Sequence, residues 1–206
     1  MQRIQKTKFD VHVLSDGPYR TNGYPQVSVS LTDVHVSQFL SKVEGKFGER
    51  SDVVSEKLQM AIRNFEEVLG VAPTSDRFTA LAVVNQAVRM AVTYAESGTD
   101  ASRVYNKPYI TSNNPAPIGY FLEHGVARCR EMTILSHLAF AQVGVESDIM
   151  SVSSVHVWIE TQNIVPGLRL YFESTNGMVL KPENAYRKFD LAPNSIQKIV
   201  VPVKRE

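Results

Sequence analysis

The sequence predicts an α+β fold in which a buried central helix packs against an antiparallel sheet. Residues 129–143 indicate the helix, because their apolar side chains cover most of its circumference, as in helices that are buried on all sides. The sheet is indicated by strand-like segments that follow Gly144 without a helical pattern between them, at 145–152, 155–161, 168–173, 178–180 and 196–203. Successive strands with short connections pair antiparallel, so these segments are expected to form one sheet beside the helix.

The part of the chain before the central helix mixes strand and helix signals. Strand-like alternation is present at 9–14 and 26–31, and a short helix is expected at 36–46. Amphipathic patterns predict two longer helices, one at 52–69 and one that starts near an N-cap at Asp76 and is closed by Gly98. These elements alone do not define a second domain.

Residues 99–124 are predicted to form a surface loop that leads into the central helix. The segment carries Pro108, Pro115 and Pro117 together with neighbouring asparagines and a glycine, which are residues that favour turns and irregular structure. Because it ends beside Cys129, it is a candidate wall or lid of a cleft.

A symmetric connection through residues 162–167 predicts the register of the hairpin formed by the second and third of these strands. The resulting pairs are Thr161 with Leu168, Glu160 with Arg169, Ile159 with Leu170, Trp158 with Tyr171, Val157 with Phe172 and His156 with Glu173. One face is then apolar and the other carries complementary pairs, an agreement that a slip of one residue would destroy. Directly opposed Cβ atoms lie roughly 4.5–5.5 Å apart, so the carboxylate of Glu173 is expected to hold the ring of His156 by a hydrogen bond.

Cys129, the only cysteine, is expected to start the central helix between Arg128 and Arg130. The helix dipole, the flanking cations and an imidazolium at His156 would lower the pKa of the thiol and favour a thiolate. The unpaired backbone N–H of Cys129 would supply one donor of an oxyanion hole. The candidates for a second donor or for substrate contacts are Asn113, Asn114, Tyr120 and Trp158.

Each of these residues also has a structural interpretation. A lone cysteine is more often an inert buried side chain than a nucleophile. Trp158 and Tyr171 are explained by packing within the sheet, and His156 and Glu173 by ordinary strand contacts. His124 is a weaker candidate for the base, and Asp148 and Asn176 are weaker candidates for the orienting group. The combination of a cysteine at a helix start, a strand histidine and an acid in register with it favours the catalytic interpretation, with Cys129 as nucleophile, His156 as base and Glu173 as orienting acid.

The same residues resemble the transglutaminase-like superfamily of papain-fold cysteine enzymes over about residues 76–180. The matching motifs are Cys129-Arg130-Glu131, His156-Val157-Trp158-Ile159-Glu160, Glu173-Ser174-Thr175 and an upstream helix that ends in Tyr94. The chain departs from the family pattern at Ala127, where glycine is common, and at Glu173, where aspartate is usual. The resemblance does not extend to the first 75 residues. We expect a catalytic core at 76–206 and N-terminal strands and helices at 1–75 that pack on it and do not form a separate domain.

The resemblance implies an enzyme that acts on an amide, in a peptide bond or a glutamine side chain, through a thioester at Cys129. Hydrolysis, as a protease, peptidase or deamidase, is the first expectation, since water needs no second substrate site. A transglutaminase that forms amine adducts and a catalytically silent binding module on the same fold are the alternatives. The expected partner is a protein or peptide substrate, with no cofactor, and the oligomeric state is left open.

Composition argues against several other classes of function. The 22 lysines and arginines balance 21 aspartates and glutamates, and they form no basic stripe, so nucleic-acid binding is not expected. No metal-ligand spacing links the histidines, no apolar run is long enough to span a bilayer, and the N-terminus lacks the apolar region of a signal peptide. A single cysteine agrees with a reducing compartment, so a cytoplasmic location is expected, although export by a leaderless machinery would leave the same pattern.

Overall fold

The computed structural model describes residues 27–48, 76–111, 116–152, 156–165, 167–199 and 203–204. The helices are α1 (Val34–Gly48), α2 (Asp76–Ala91), α3 (Asp100–Thr111), α4 (Ile118–His124), α5 (Cys129–Gln142) and α6 (Pro182–Lys188), with a 3-10 turn at Pro193–Ser195. The strands are β1 (Val27–Ser30), β2 (Thr93–Tyr94), β3 (Ala116–Pro117), β4 (Val126–Ala127), β5 (Ser147–Val152), β6 (His156–Val165), β7 (Leu168–Glu173), β8 (Met178–Leu180), β9 (Ile196–Ile199) and β10 (Val203–Lys204). The expected strand at 9–14 and helix at 52–69 lie outside the described residues.

The main sheet is antiparallel, with strand order β8-β7-β6-β5-β9, and α5 packs across β5 and β6. The prediction of an α+β fold with a buried helix on an antiparallel sheet is therefore confirmed. Most of α5 is inaccessible to solvent, including its polar residues Glu131, Thr133 and Ser136. A smaller parallel sheet, in the order β10-β1-β3, and the parallel pair of β2 with β4 complete the pairing of the described strands.

The register between β6 and β7 differs from the predicted one by two residues. Ile159 pairs with Phe172 and Thr161 with Leu170, and the ladder shifts again before Val165 pairs with Leu168. The prediction that Thr161 opposes Leu168 is wrong because β6 continues to Val165 through this irregularity, which shortens the connection. A shift of two residues preserves the alternation of side chains, so every residue keeps its predicted face.

The two faces of the main sheet have different coverings. The face that contains Val157, Ile159 and Phe172 packs against α5, where the rings of Phe140 and Phe172 meet edge to face at 5.2 Å. The opposite face carries a second core built on Trp158, Tyr171 and Ala185, of which Ala185 belongs to α6. Together the two coverings bury both sides of the sheet.

Two predictions for the segment before α5 are wrong. The helix expected to continue to Gly98 ends at Ala91, because the next residues form β2, in which Thr93 pairs with Val126. The expected loop at 99–124 instead contains α3 and α4. Pro108 is accommodated inside α3, where Tyr105 and Tyr109 lie one turn apart and pack against Phe121, and this packing outweighs the loss of one backbone hydrogen bond.

The N-terminal residues that the structure describes pack onto the same core. Helix α1 contacts α2, α4 and α5, and β1 lies beside α4. The carboxylate of Asp33 caps α1 by accepting the N–H groups of His35 and Val36. It also occupies the space that a side chain at Gly119 would need, so a glycine is required there. None of the helices in the described ranges is long and apolar enough to cross a bilayer.

Candidate functional site

The three residues of the expected triad all lie at ends of secondary-structure elements. Cys129 is the first residue of α5, His156 is the first residue of β6, and Glu173 is the last residue of β7. Because β7 runs antiparallel to β6, the end of β7 lies beside the start of β6. His156 and Glu173 therefore share one rim of the main sheet, which we call the candidate rim and define by these two residues and Cys129.

Contacts along α5 place Cys129 at the same rim. The hydroxyl of Thr133 donates to the carbonyl of Val157 at 3.3 Å, and the ring of His137 lies 2.9 Å from the hydroxyl of Ser147, which sits opposite Thr161. Helix α5 thus runs along β6 in the same direction. Cys129 precedes Thr133 by one turn, about 6 Å along the axis, which carries it towards the first residue of β6.

The carboxylate of Glu173 organises the other half of the site. Its Oε2 lies 2.9 Å from Nε2 of His156 and 2.9 Å from the hydroxyl of Tyr171. Its Oε1 accepts the hydroxyl of Thr175 at 2.9 Å and the backbone N–H of Thr175 at 3.3 Å. Burial acts to raise the pKa of Glu173, but the hydrogen bonds from His156, Tyr171 and Thr175 and the charge of His156 outweigh it and hold the pKa below its ordinary value.

The predicted contact between His156 and Glu173 is present, but it crosses the ladder diagonally. If the observed register is continued, His156 lies opposite Thr175 and Glu173 lies opposite Trp158. Diagonal neighbours are within reach of long side chains, and Glu173 has the extra methylene that this reach requires. A glutamate at this position can therefore reach the ring of His156 across the diagonal.

The ring of His156 is fixed by stacking as well as by hydrogen bonding. It lies 5.6 Å from the indole of Trp158 at an interplanar angle of 20° and 6.0 Å from the ring of Phe189. With Nε2 engaged, Nδ1 is the nitrogen left to exchange a proton with a thiol. Within the described residues, no hydrogen bond joins this nitrogen to the sulfur of Cys129, and the histidine leaves β6 on the face opposite α5.

The electrostatic surroundings of Cys129 contradict the expectation of a lowered thiol pKa. Burial of the side chain is the largest effect and raises the pKa, and the negative charge of Glu131 raises it further. The backbone N–H and the charge of Arg130 oppose this increase, while the charge of Glu173 adds to it. The thiol of Cys129 is therefore protonated near neutral pH.

Glu131 explains why the flanking arginines do not produce a thiolate. This carboxylate is fully buried and takes both Nε and Nη2 of Arg130, at 2.7 and 2.6 Å, together with the hydroxyl of Tyr109 at 2.9 Å. Its second oxygen accepts the backbone N–H of Arg128 at 3.2 Å and so caps the helix. Arg128 directs its side chain away, to the carbonyl of Ala95 and over the ring of Tyr105.

The structure adds residues to the site that the sequence did not single out for it. Tyr171 and Thr175 bind the carboxylate of Glu173, and the alternation of the strand, which puts Tyr171 and Glu173 on one face, was the available signal for the first of them. Tyr94 lies opposite Ala127 in the β2–β4 pair and is about two-fifths exposed. Its pKa is raised by partial burial and by the charges of Cys129 and Glu173, which places it in the same electrostatic neighbourhood.

The other predicted site residues do not supply hydrogen-bond donors at the candidate rim. Trp158 is fully buried, donates its indole N–H to Glu160 at 3.3 Å and stacks on the ring of His156. Tyr120 donates its hydroxyl to the carbonyl of Val104 at 2.9 Å and is thereby removed as an oxyanion donor. Asn113 and Asn114 lie outside the described residues.

The weaker candidates for the base and the orienting group are also occupied elsewhere. His124 stacks on the ring of Tyr120 at 4.0 Å, and its Nδ1 donates to the carbonyl of that residue. Asp148 binds Arg169 and Lys198 at 3.2 and 2.5 Å. Asn176 accepts the backbone N–H of Met178 at 2.9 Å. His156 and Glu173 therefore remain the candidates for the base and the orienting acid.

In the described part of the chain, no group of three or more histidine, cysteine, aspartate or glutamate residues is arranged to hold a metal ion.

Comparison with known proteins gives no relative from which a role can be transferred: no protein-family model matches the chain, and no curated protein matches its sequence at a significant level. The site is therefore interpreted from its own geometry.

Proposed function

We propose that the protein is a cysteine-dependent acyl-transfer enzyme with a transglutaminase-like, papain-fold core that acts on an amide of a protein or peptide. The observation that carries the proposal is the 2.9 Å contact between Nε2 of His156 and Glu173, made at the rim of the sheet where α5 begins with Cys129. A carboxylate on one ring nitrogen leaves the other, Nδ1, available as the base for a nucleophile at the same rim, which is what nucleophilic catalysis requires.

The raised pKa of the thiol determines how the first step runs. A protonated sulfur needs a base at the moment of attack, so His156 takes the thiol proton on Nδ1 as the bond from sulfur to the carbonyl carbon forms. The bond from carbon to nitrogen then breaks, and the imidazolium returns that proton to the leaving amine. Glu173 stabilises the imidazolium between these two transfers, as a buried carboxylate on the opposite nitrogen does.

The thioester is resolved by a second nucleophile. In hydrolysis, His156 takes a proton from water as oxygen attacks the carbonyl carbon, and the proton passes to the sulfur as the thioester bond breaks. The same sequence converts glutamine to glutamate when the amide belongs to a side chain, and a primary amine in place of water gives a crosslink. Hydrolysis remains the preferred outcome because water needs no further binding site.

A binding module on the same fold is the second candidate, and the thiol itself favours it. A neutral, partly buried sulfur without a hydrogen bond to His156 is the state expected of a cysteine that packs and does not react. The contacts of His156 with Glu173 and Tyr171 favour the enzyme. A buried carboxylate that binds a partly exposed histidine adds little stability compared with an apolar pair at the same positions, so catalysis explains its presence better than stability does.

The test is incubation with a pool of peptides whose amino groups are blocked, in the presence and absence of methylamine, followed by mass spectrometry. New amino termini identify proteolysis, conversion of glutamine to glutamate identifies deamidation, and methylamine adducts identify transfer. Cys129→Ala and His156→Ala should abolish the reaction, and Glu173→Gln should lower its rate. Modification that survives Cys129→Ala would refute the thioester mechanism, and an unmodified pool under all conditions would favour the binding module.

A further inference from the structure

The hydroxyl of Tyr171 is placed symmetrically between the base and the orienting acid. Its oxygen lies 2.9 Å from Nε2 of His156 and 2.9 Å from Oε2 of Glu173, and these two atoms are themselves 2.9 Å apart. The side chain of Tyr171 is fully buried. The three polar atoms thus form a closed triangle in which every proton must be shared among fixed partners.

We propose that Tyr171 is a positioning residue that fixes the proton of neutral His156 on Nε2 and so leaves the lone pair of Nδ1 for the thiol. The proposal deepens the function proposed above and rests on it for its catalytic meaning. The placement of the proton itself is a property of the folded protein and does not depend on any reaction.

The proton count in the triangle follows from the chemistry of its three members. Glu173 is ionised and has only acceptors. The phenol of Tyr171 has a single proton and donates it to the charged carboxylate, at Oε2 of Glu173. Once it donates to Glu173, its oxygen can only accept from the ring, and both partners of Nε2 are then acceptors. A proton on Nδ1 would instead direct the lone pair of Nε2 at a carboxylate oxygen 2.9 Å away.

The surrounding rings prevent the phenol from leaving this position. Tyr171 stacks on Trp158 at 5.7 Å and 27° on one side and on Phe189 at 5.8 Å and 26° on another. Thr175 holds the second oxygen of Glu173, which stops the carboxylate from rotating towards a different donor. The wrong tautomer of a catalytic histidine disables proton transfer even when the geometry is intact, so this arrangement bears directly on the rate.

The experiment is nitrogen-15 NMR of the imidazole of His156 in Tyr171→Phe, with Tyr186→Phe as the matched control. Tyr186 belongs to the same aromatic cluster, but its hydroxyl binds Glu160 and not the histidine. In the wild type and in Tyr186→Phe, neutral His156 should show the hydrogen on Nε2 alone. In Tyr171→Phe, Nε2 keeps the carboxylate of Glu173 but loses its second acceptor, so the fraction of the Nε2–H tautomer should fall below that of the wild type. We expect kcat to fall in proportion with KM unchanged, by about twofold where the two tautomers become equally populated.

A wild-type protein with the proton on Nδ1 would overturn the proposal without any variant, and so would a Tyr171→Phe variant with an unchanged tautomer. The measurement is repeated in the Cys129→Ala background, where no turnover occurs. A lost tautomer preference in Tyr171→Phe that accompanies an inactive wild type would refute the enzyme and uphold the placement of the proton, so the two failures are distinguishable.

Discussion

Removal of the carboxylate of Glu173 should destabilise the fold as well as slow the reaction. Glu173→Ala leaves the hydroxyl of Tyr171, the hydroxyl and N–H of Thr175 and the ring nitrogen of His156 without their acceptor. Each buried donor left without an acceptor costs about 1–3 kcal/mol, so the loss of the acceptor shared by Tyr171 and Thr175 should cost about 3–5 kcal/mol, which for a chain of this size corresponds to a decrease in Tm of about 6–20 °C. Glu173→Gln retains one acceptor and the volume, so we expect a loss of about 1–3 kcal/mol.

The pH dependence of this effect has a definite sign. The pKa of Glu173 lies below its ordinary value of 4.5, so its charge stabilises the folded state fully above that value, and the contribution is lost as the pH falls through the lower folded-state pKa. The difference in free energy of unfolding between the wild type and Glu173→Gln should therefore be smaller at pH 3 than at pH 5.

Urea unfolding followed by circular dichroism at a series of pH values measures this difference. Glu96→Gln, at an exposed glutamate, serves as the control and should show no such dependence. A Glu173→Gln variant whose deficit is unchanged between neutral pH and pH 3, or a Glu173→Ala variant that melts with the wild type, would show that the carboxylate is not held in an ionised network.

Four further substitutions test the surroundings of the site. Alkylation of Cys129 by iodoacetamide should have a pH midpoint above that of a free thiol, and Glu131→Gln should lower this midpoint because it removes a negative charge that raises the pKa. Gly177→Ala should lower the free energy of unfolding by about 2–4 kcal/mol, because a φ of +75° is strained for any residue with a side chain and the new Cβ would meet the amide of Asn85. Adding Asn85→Ala to this variant should restore part of the loss, as measured by urea unfolding. Phe140→Ala, in the core between α5 and the sheet, should lose about 3–5 kcal/mol by the same measurement.

Two matched controls accompany these variants. Gly45→Ala lies in α1 with no neighbouring atom in the path of the new Cβ, so it should raise stability by about 0.5–1 kcal/mol. Met90→Ala, at a largely exposed side chain, should change stability little. The packing assignments would be contradicted if the two glycine substitutions had equal effects or if Phe140→Ala left the unfolding midpoint unchanged. The charge assignment would be contradicted if Glu131→Gln left the alkylation midpoint of Cys129 unchanged.

The pairing of β6 with β7 shows which features of a strand pair can be predicted from a sequence. The faces of β6 and β7 were predictable, because alternation fixes which side chains share a side. Their register was not, because the irregularity between Thr161 and Val165 depends on backbone geometry that no residue type encodes. The contact of His156 with Glu173 survived the error, since a shift of two residues converts an opposed pair into a diagonal one on the same face.

The start of α5 shows the opposite case, in which local reasoning predicts the position of a residue and mistakes its chemistry. Cys129 begins the helix as predicted. Its pKa is raised chiefly by burial, and the negative charge of Glu131, which folds back onto the first turn and binds Arg130, raises it further. The effect of neighbouring charges on the pKa of a thiol depends on the partners that those charges have in the fold. Such partners, for example Tyr109, come from other elements and are not visible in the local sequence.

The stacking of His156 on Trp158 couples the proposed base to the only indole in the chain. An imidazolium held against an indole face withdraws electron density from its excited state and quenches its emission, whereas the neutral ring does so weakly. Intrinsic fluorescence should consequently be dimmer when the ring of His156 carries a proton than when it is neutral. The packing that steadies the ring thereby couples the charge of the proposed base to an emission that needs no added label.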